Sequence, residues 1–220
     1  MSVIIRQALV SDVDAMVPLI YGSGPATFNY VFSHVYEGQA QDFLRAAFTD
    51  GEGRFGANAH IALELDSKVV AAATLYSAAQ RIDNLRHGVR QMWRFFGPRK
   101  FFSCVFYGLR TERVIKPPSR DVAYLAHLSV VPELRGQGLG RQLICHLCER
   151  ARQQGFTKAG LDVAEDNPRA RALYLGLGFT SVANRRGGLR NRFGTVVDHE
   201  YMELALKCLA GGDRGRSTQY

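Results

Sequence analysis

Eighteen residues constrain this chain more than any others: A-Y-L-A-H-L-S-V-V-P-E-L-R-G-Q-G-L-G, at positions 123 to 140. The first nine are mostly apolar, with polar groups only at Tyr124, His127 and Ser129, and they read as a buried strand. Pro132 ends the pairing because it has no N–H to give a neighbouring strand. Past the glycines, Leu139, Leu143, Leu147 and Ala151 recur at helical spacing. A strand therefore runs through a glycine-rich turn into a helix. Glycines let a ligand approach the backbone, and a helix start presents free amides, so the turn suits an anion such as a diphosphate. The turn lacks the Gly-Lys-Ser/Thr of a P-loop. Gly136, Gly138 and Gly140 are evenly spaced, unlike the glycines of a dinucleotide fingerprint.

A second pattern follows a short strand at 161 to 163. In N-P-R-A-R-A-L-Y, Asn167 reads as a helix cap and Pro168 occupies the first helical position, where a missing N–H costs nothing. Tyr174 lies two turns past Asn167, so the two share a face with Ala170 between them. Gly176 and Gly178 end that helix.

Taken together, S-V-V-P-E-L-R-G-Q-G-L-G and D-V-A-E-D-N-P-R-A-R-A-L-Y-L-G-L-G-F closely resemble the GNAT superfamily of acyl-CoA N-acyltransferases, over about residues 121 to 180. Residues 1 to 78 fit the family without carrying a motif, and 80 to 118 have no counterpart in it. The resemblance implies an α/β GNAT fold. It would have a mixed central sheet of six to seven strands flanked by helices, with a basic, aromatic-rich helical insertion at 79 to 118 before the central strand.

The resemblance also implies an activity: direct acetyl transfer from acetyl-CoA (coenzyme A) to a primary amine in a ternary complex, without a covalent intermediate. Backbone groups of Leu128, Ser129 and Val130 would meet the pantetheine arm, one of their amides polarising the thioester carbonyl. Amides of Gly136, Gln137, Gly138, Leu139, Gly140 and Arg141 would hold the pyrophosphate, with charge from Arg135 and Arg141. Asn167, Ala170 and Tyr174 would line the cofactor, and Tyr174 would protonate the leaving sulfur.

The general base is open. Strand alternation puts Tyr124, Ala126 and Leu128 on one face, where only Tyr124 is a candidate, and sends His127 to the other as a core histidine. A backbone-held water, Glu37 or His34 are the other options. Aromatics of the N-terminal half, Phe28 and Tyr30, are expected to line the acceptor pocket with Tyr124.

Charge is concentrated. Residues 80 to 120 hold ten Lys or Arg against Asp83 and Glu112, a net +8 that equals the excess of the whole chain. In that stretch Ile82, Leu85, Val89, Met92, Trp93 and Phe96 follow helical spacing beside Arg86, Arg90 and Arg94. Gly97-Pro98 breaks the pattern before Phe101 to Leu109 resume it. Such a basic amphipathic insertion is expected to serve as a pocket wall or homodimer contact rather than to meet membrane or nucleic acid. A glycine-rich basic loop at 185 to 192 reads either as a cover favouring a carboxylate-bearing substrate or as a solvated hairpin tip.

No segment has the roughly eighteen uninterrupted apolar residues of a membrane span, and the first residues do not read as a signal peptide, so a cytoplasmic protein is expected. Cys104, Cys145, Cys148 and Cys208 read as thiols, and no metal site is expected. The chain is expected to be one domain over 1 to 208 with a disordered tail at 209 to 220. The acceptor is expected to be a small-molecule amine. The rival reading is a non-catalytic acyl-CoA sensor whose basic insertion docks on a partner.

Overall fold

A computed structural model describes residues 2–206; the tail at 209 to 220 lies outside the described residues. The central sheet has seven strands in the order β1-β2-β3-β4-β5-β9-β6. These are β1 (Val3–Gln7), β2 (His60–Leu65), β3 (Lys68–Tyr76), β4 (Val122–Val130), β5 (Lys158–Ala164), β6 (Thr180–Arg185) and β9 (His199–Ala205). Every pairing is antiparallel except β4 with β5. Asp66 and Ser67 both take positive φ, the geometry a two-residue hairpin between β2 and β3 demands. A small ribbon of β7 (Leu189–Arg190) and β8 (Thr195–Val196) completes the strands among the described residues.

Two layers cover the sheet. On one face lie α1 (Val13–Gly22), α2 (Pro25–Phe32) and α3 (Gln39–Asp50), burying Met16, Ile20, Phe43, Leu44 and Phe48. Each such side chain contributes about 1.5–3 kcal/mol by leaving water. A short 3-10 turn (Val10–Asp12) precedes α1, and the Asp12 carboxylate accepts from the Leu9 amide. The other face is covered by α5 (Leu139–Gln153), whose Leu139, Leu143, Leu147 and Ala151 are buried as their spacing requires, and by α6 (Pro168–Leu175).

The basic segment forms α4 (Arg81–Thr111), bent at Gly97, where φ is 66° and ψ 174°. Only glycine tolerates that conformation, and Pro98 disfavours a helical residue before it. One face packs on α2 and α3 through Phe95, Phe96 and Tyr107, with Phe96 at 5.2 Å from the Phe43 ring and Tyr107 at 5.0 Å from Tyr30. The insertion therefore walls the α2–α3 layer. A second apolar stripe of Leu85, Trp93, Phe102 and Phe106 stays exposed.

Candidate active site

β4 and β5 pair only over Val122–Lys158, Ala123–Ala159 and Tyr124–Gly160, then part company. β5 remains bonded to β9 along its whole length, so β4 is the strand that turns away. Ala72 pairs with Ser129 and Thr74 with Ala126, leaving Ala73 to face two residues, His127 and Leu128. That is a β-bulge, and His127 carries its strain with φ 54°. The sheet opens between β4 and β5 from this point, beside the start of α5.

The bulge overturns the expected alternation. Tyr124, Ala126 and Ser129 share the face covered by α1 to α3, while Leu128 turns with Leu125 and Val130 into the cluster under α5. His127 joins Tyr124's face: its ring stacks on Phe55 at 5.6 Å and lies 5.7 Å from Phe28. It is not a closed-off core histidine. It is half-buried, its Nδ1 lies 2.9 Å from His60 Nε2, and His60 Nδ1 lies 2.9 Å from the Gly56 carbonyl. An acceptor at Gly56 fixes the proton of His60 on Nδ1, so His60 Nε2 accepts from His127 Nδ1–H. His127 Nε2 is then a lone pair without a partner among the described residues. Burial holds both imidazoles neutral, His60 at about 4 and His127 well below the usual value, with Arg54 adding to both shifts and His60 to that of His127.

At the far end of β4, Gly136 and Gly138 take φ 87° and 83°, turning the chain into α5. The amides of Gly136, Gln137 and Gly138 have no backbone acceptor among the described residues, and those of Leu139, Gly140 and Arg141 form the first turn of α5. No acidic residue stands in that turn. Arg135 Nε donates to the Val130 carbonyl at 3.0 Å and Arg141 Nη2 to that of Gly176 at 3.3 Å, which fixes two exposed guanidiniums beside the amides. Free amides, a helix dipole and two cations fit a diphosphate.

α6 begins as its sequence requires: the Ala170 amide donates to Asn167 Oδ1 at 3.1 Å and Pro168 is first in the helix. Tyr174 is buried against Phe179 at 5.9 Å, and its hydroxyl has no hydrogen-bond partner among the described residues. Burial pushes its pKa up to about 12, so it is protonated at neutral pH.

The other candidates are distributed less simply. Tyr124 donates to Asp162 Oδ2, and Arg185 Nη1 donates to both Asp162 oxygens at 3.0 Å. Burial raises the pKa of Asp162, while Tyr124 and Arg185 favour its charged form. Phe28 lies against His127, but Tyr30 does not line an opening: it is wholly buried between α2 and α4. His34 is held under α4, 3.0 Å from Cys104 Sγ, and Glu37 is exposed on a loop. The 185–192 loop is not a free hairpin tip: Arg185 is paired with Asp162, and Asn191 Nδ2 donates to the Tyr30 carbonyl at 2.8 Å. Sequence reading passed over His60 and Asp162. A carboxylate in the otherwise apolar run 159–163 was the one visible signal for the latter.

These features define an α/β protein whose sheet splits beside a helix start with free amides. The profile of the Acetyltransferase (GNAT) family matches residues 31–179, and the chain belongs to that family. The [ribosomal protein bS18]-alanine N-acetyltransferase of Salmonella typhimurium is 36% identical over 80 residues, covering 36% of this chain and 51% of the relative. The chain thus spans about half the length of the curated relatives it first matches. A crystal structure described as an acetyltransferase has TM-score 0.69 at 22% identity, over 93% of this chain and all of that one. YncA of Salmonella typhimurium, solved with its cofactor acetyl-CoA, has TM-score 0.55 at 18% identity over 98% of this chain and 100% of that one. At these identities the structural likeness is one of fold.

Proposed function

We propose that the chain is an N-acetyltransferase that moves an acetyl group from acetyl-CoA to the primary amine of a small molecule, directly and within a ternary complex. The observation that carries this reading is the parting of β4 from β5 with free amides at its end, and it is supported by a Tyr174 hydroxyl and a His127 Nε2 that have no partner among the described residues. Acetyl-CoA supplies an activated thioester and a sulfur able to leave.

The chain's own residues do the rest. Amides of residues 136 to 141 hold the diphosphate, with Arg135 and Arg141 adding charge. Backbone groups of Leu128, Ser129 and Val130 receive the pantetheine arm, and one amide polarises the carbonyl. Asn167 and Ala170 line the arm from α6. His127 Nε2 takes the proton from the amine as its bond to carbon forms, and His60 keeps the imidazole in the accepting tautomer. Tyr174 gives its proton to the departing sulfur, and each group is reset by solvent. The same reading makes 1–208 one domain, acting in the cytoplasm, with α4 open to a homodimer contact.

The test is release of CoA thiol across a panel of primary amines that includes free amino acids, polyamines and a peptide N-terminus. Tyr174→Phe should lower kcat by about 10²- to 10³-fold while acetyl-CoA binds as before. If the variant turns over at the wild-type rate, Tyr174 is not the acid. If wild type acetylates nothing yet binds acetyl-CoA, the sensor reading takes over.

A further inference from the structure

At the edge of the sheet where β3 ends, a cleft of about 100 Å³ opens between the α3–β2 loop, the start of α4 and the end of α5. Arg54 and Arg150 both line it, with Thr74, Tyr76, Gln80 and Asn84 among the others, and no Asp or Glu is present. Neither guanidinium has a carboxylate or hydrogen-bond partner among the described residues. Arg54 Nε is moreover buried without an acceptor. A guanidinium without a counter-charge is costly to hold there, and an anion in the cleft would supply that charge.

Arg54 is also held in place. Its guanidinium carbon lies 4.9 Å from the Tyr76 ring centre and 6.0 Å from that of Phe55. Those two rings lead to the reaction centre: Phe55 stacks on His127, and Tyr76 lies 5.1 Å from Tyr124. The cleft is thus one aromatic layer from the proposed proton acceptor. A planar, charged fork fixed by aromatic faces matches a carboxylate in two-point contact.

We propose that this cleft binds a carboxylate carried by the acceptor, so that the substrate is an amine whose carboxylate lies several bonds from the nitrogen, of the ω-amino-acid class. The assignment rests on the acetyltransferase reading for its substrate half, whereas the anion site stands on Arg54 and Arg150 themselves. The basic loop at 185 to 192 is not needed for it, since Arg185 is already committed to Asp162.

Two measurements decide it. In the first, propionate and inorganic phosphate are titrated into the full chain while the Arg54 Nε–H resonance is followed. Saturable movement with propionate is expected, and it should vanish in Arg54→Gln. A resonance that neither ion moves overturns the site, whatever the enzyme does. Movement with phosphate alone overturns the carboxylate.

In the second, ω-amino acids are compared with their amides as acetyl acceptors. Arg54→Gln should lower kcat/KM for the acids on the order of 10²- to 10³-fold more than for their amides, with Arg150→Gln acting in the same direction. Equal losses on acids and amides would overturn the substrate assignment. If wild type acetylates neither, the acetyltransferase reading fails and the substrate half falls with it, while the titration still decides the anion site.

Discussion

At His60 the imidazole is completely buried and burial pushes its pKa down to about 4. The unfolded chain would titrate it near 6.5. Above pH 6.5 both states are neutral and the group costs nothing. As pH falls from 6.5 towards 4, the unfolded state gains a proton that the folded state refuses, and stability drops. At pH 4.5 that loss is about 2–3 kcal/mol. Urea unfolding at pH 7.5 and 4.5 checks it: His60→Asn should lose less stability than wild type across the interval. Equal losses in the two proteins would mean that His60 is not buried neutral. His127 obeys the same sign, so its base form persists below pH 6.5 and kcat/KM should fall only at more acid pH. His127→Ala should cost about 10²-fold in kcat, with acetyl-CoA affinity retained. A wild-type rate would return the base role to a water. His127 was visible in the sequence, but its function was not. Its direction depends on a bulge, and a single extra residue in the register flips every side chain beyond it.

Among the elements, the strand–loop–helix around Gly138 was legible because it is local: apolar spacing sets α5, and Asn167 with Pro168 sets the start of α6. α4 was legible as two amphipathic pieces with a break at Gly97-Pro98. Which face it buries was not, because both faces are apolar. Contact with Phe32 and Phe43 chose Phe96 for the inside and left Trp93 out. Gly97→Ala tests the bend. At φ 66° and ψ 174° a Cβ is strained by about 1–3 kcal/mol, although no neighbouring atom would touch it. Calorimetry should show Tm lowered by several degrees. An unchanged Tm would place the bend's cause elsewhere.

For the whole molecule, ligand linkage gives the simplest reading of the helix-start site. Acetyl-CoA at about 100 times its Kd should add about 2.7 kcal/mol to stability, raising Tm by roughly 5–10 °C for a chain of this size. Gly138→Glu should abolish the rise, since it sets a carboxylate and a strained φ of 83° where the amides converge. A rise that survives this substitution would move the cofactor off the loop. The net charge of +8 has its own scale. Arg90 and Arg94 reach Asp50, and Arg86 reaches Asp83, so part of the basic segment is spent inside the fold. Arg54, outside that segment and unremarkable in sequence, has no carboxylate partner among the described residues and lies against Phe55 and Tyr76.

By itself the sequence determined the fold class, the glycine turn into α5 and the helix that carries Tyr174, because each depends on neighbours within a few turns of chain. Only the tertiary structure decided the rest. His60 and His127 are 67 residues apart and meet at 2.9 Å, Asp162 finds Arg185 across two strands, and Tyr30 is closed off by a helix that arrives 77 residues later at Tyr107. Contacts of that range leave no periodic trace in a chain, since either partner alone satisfies the local rules equally well.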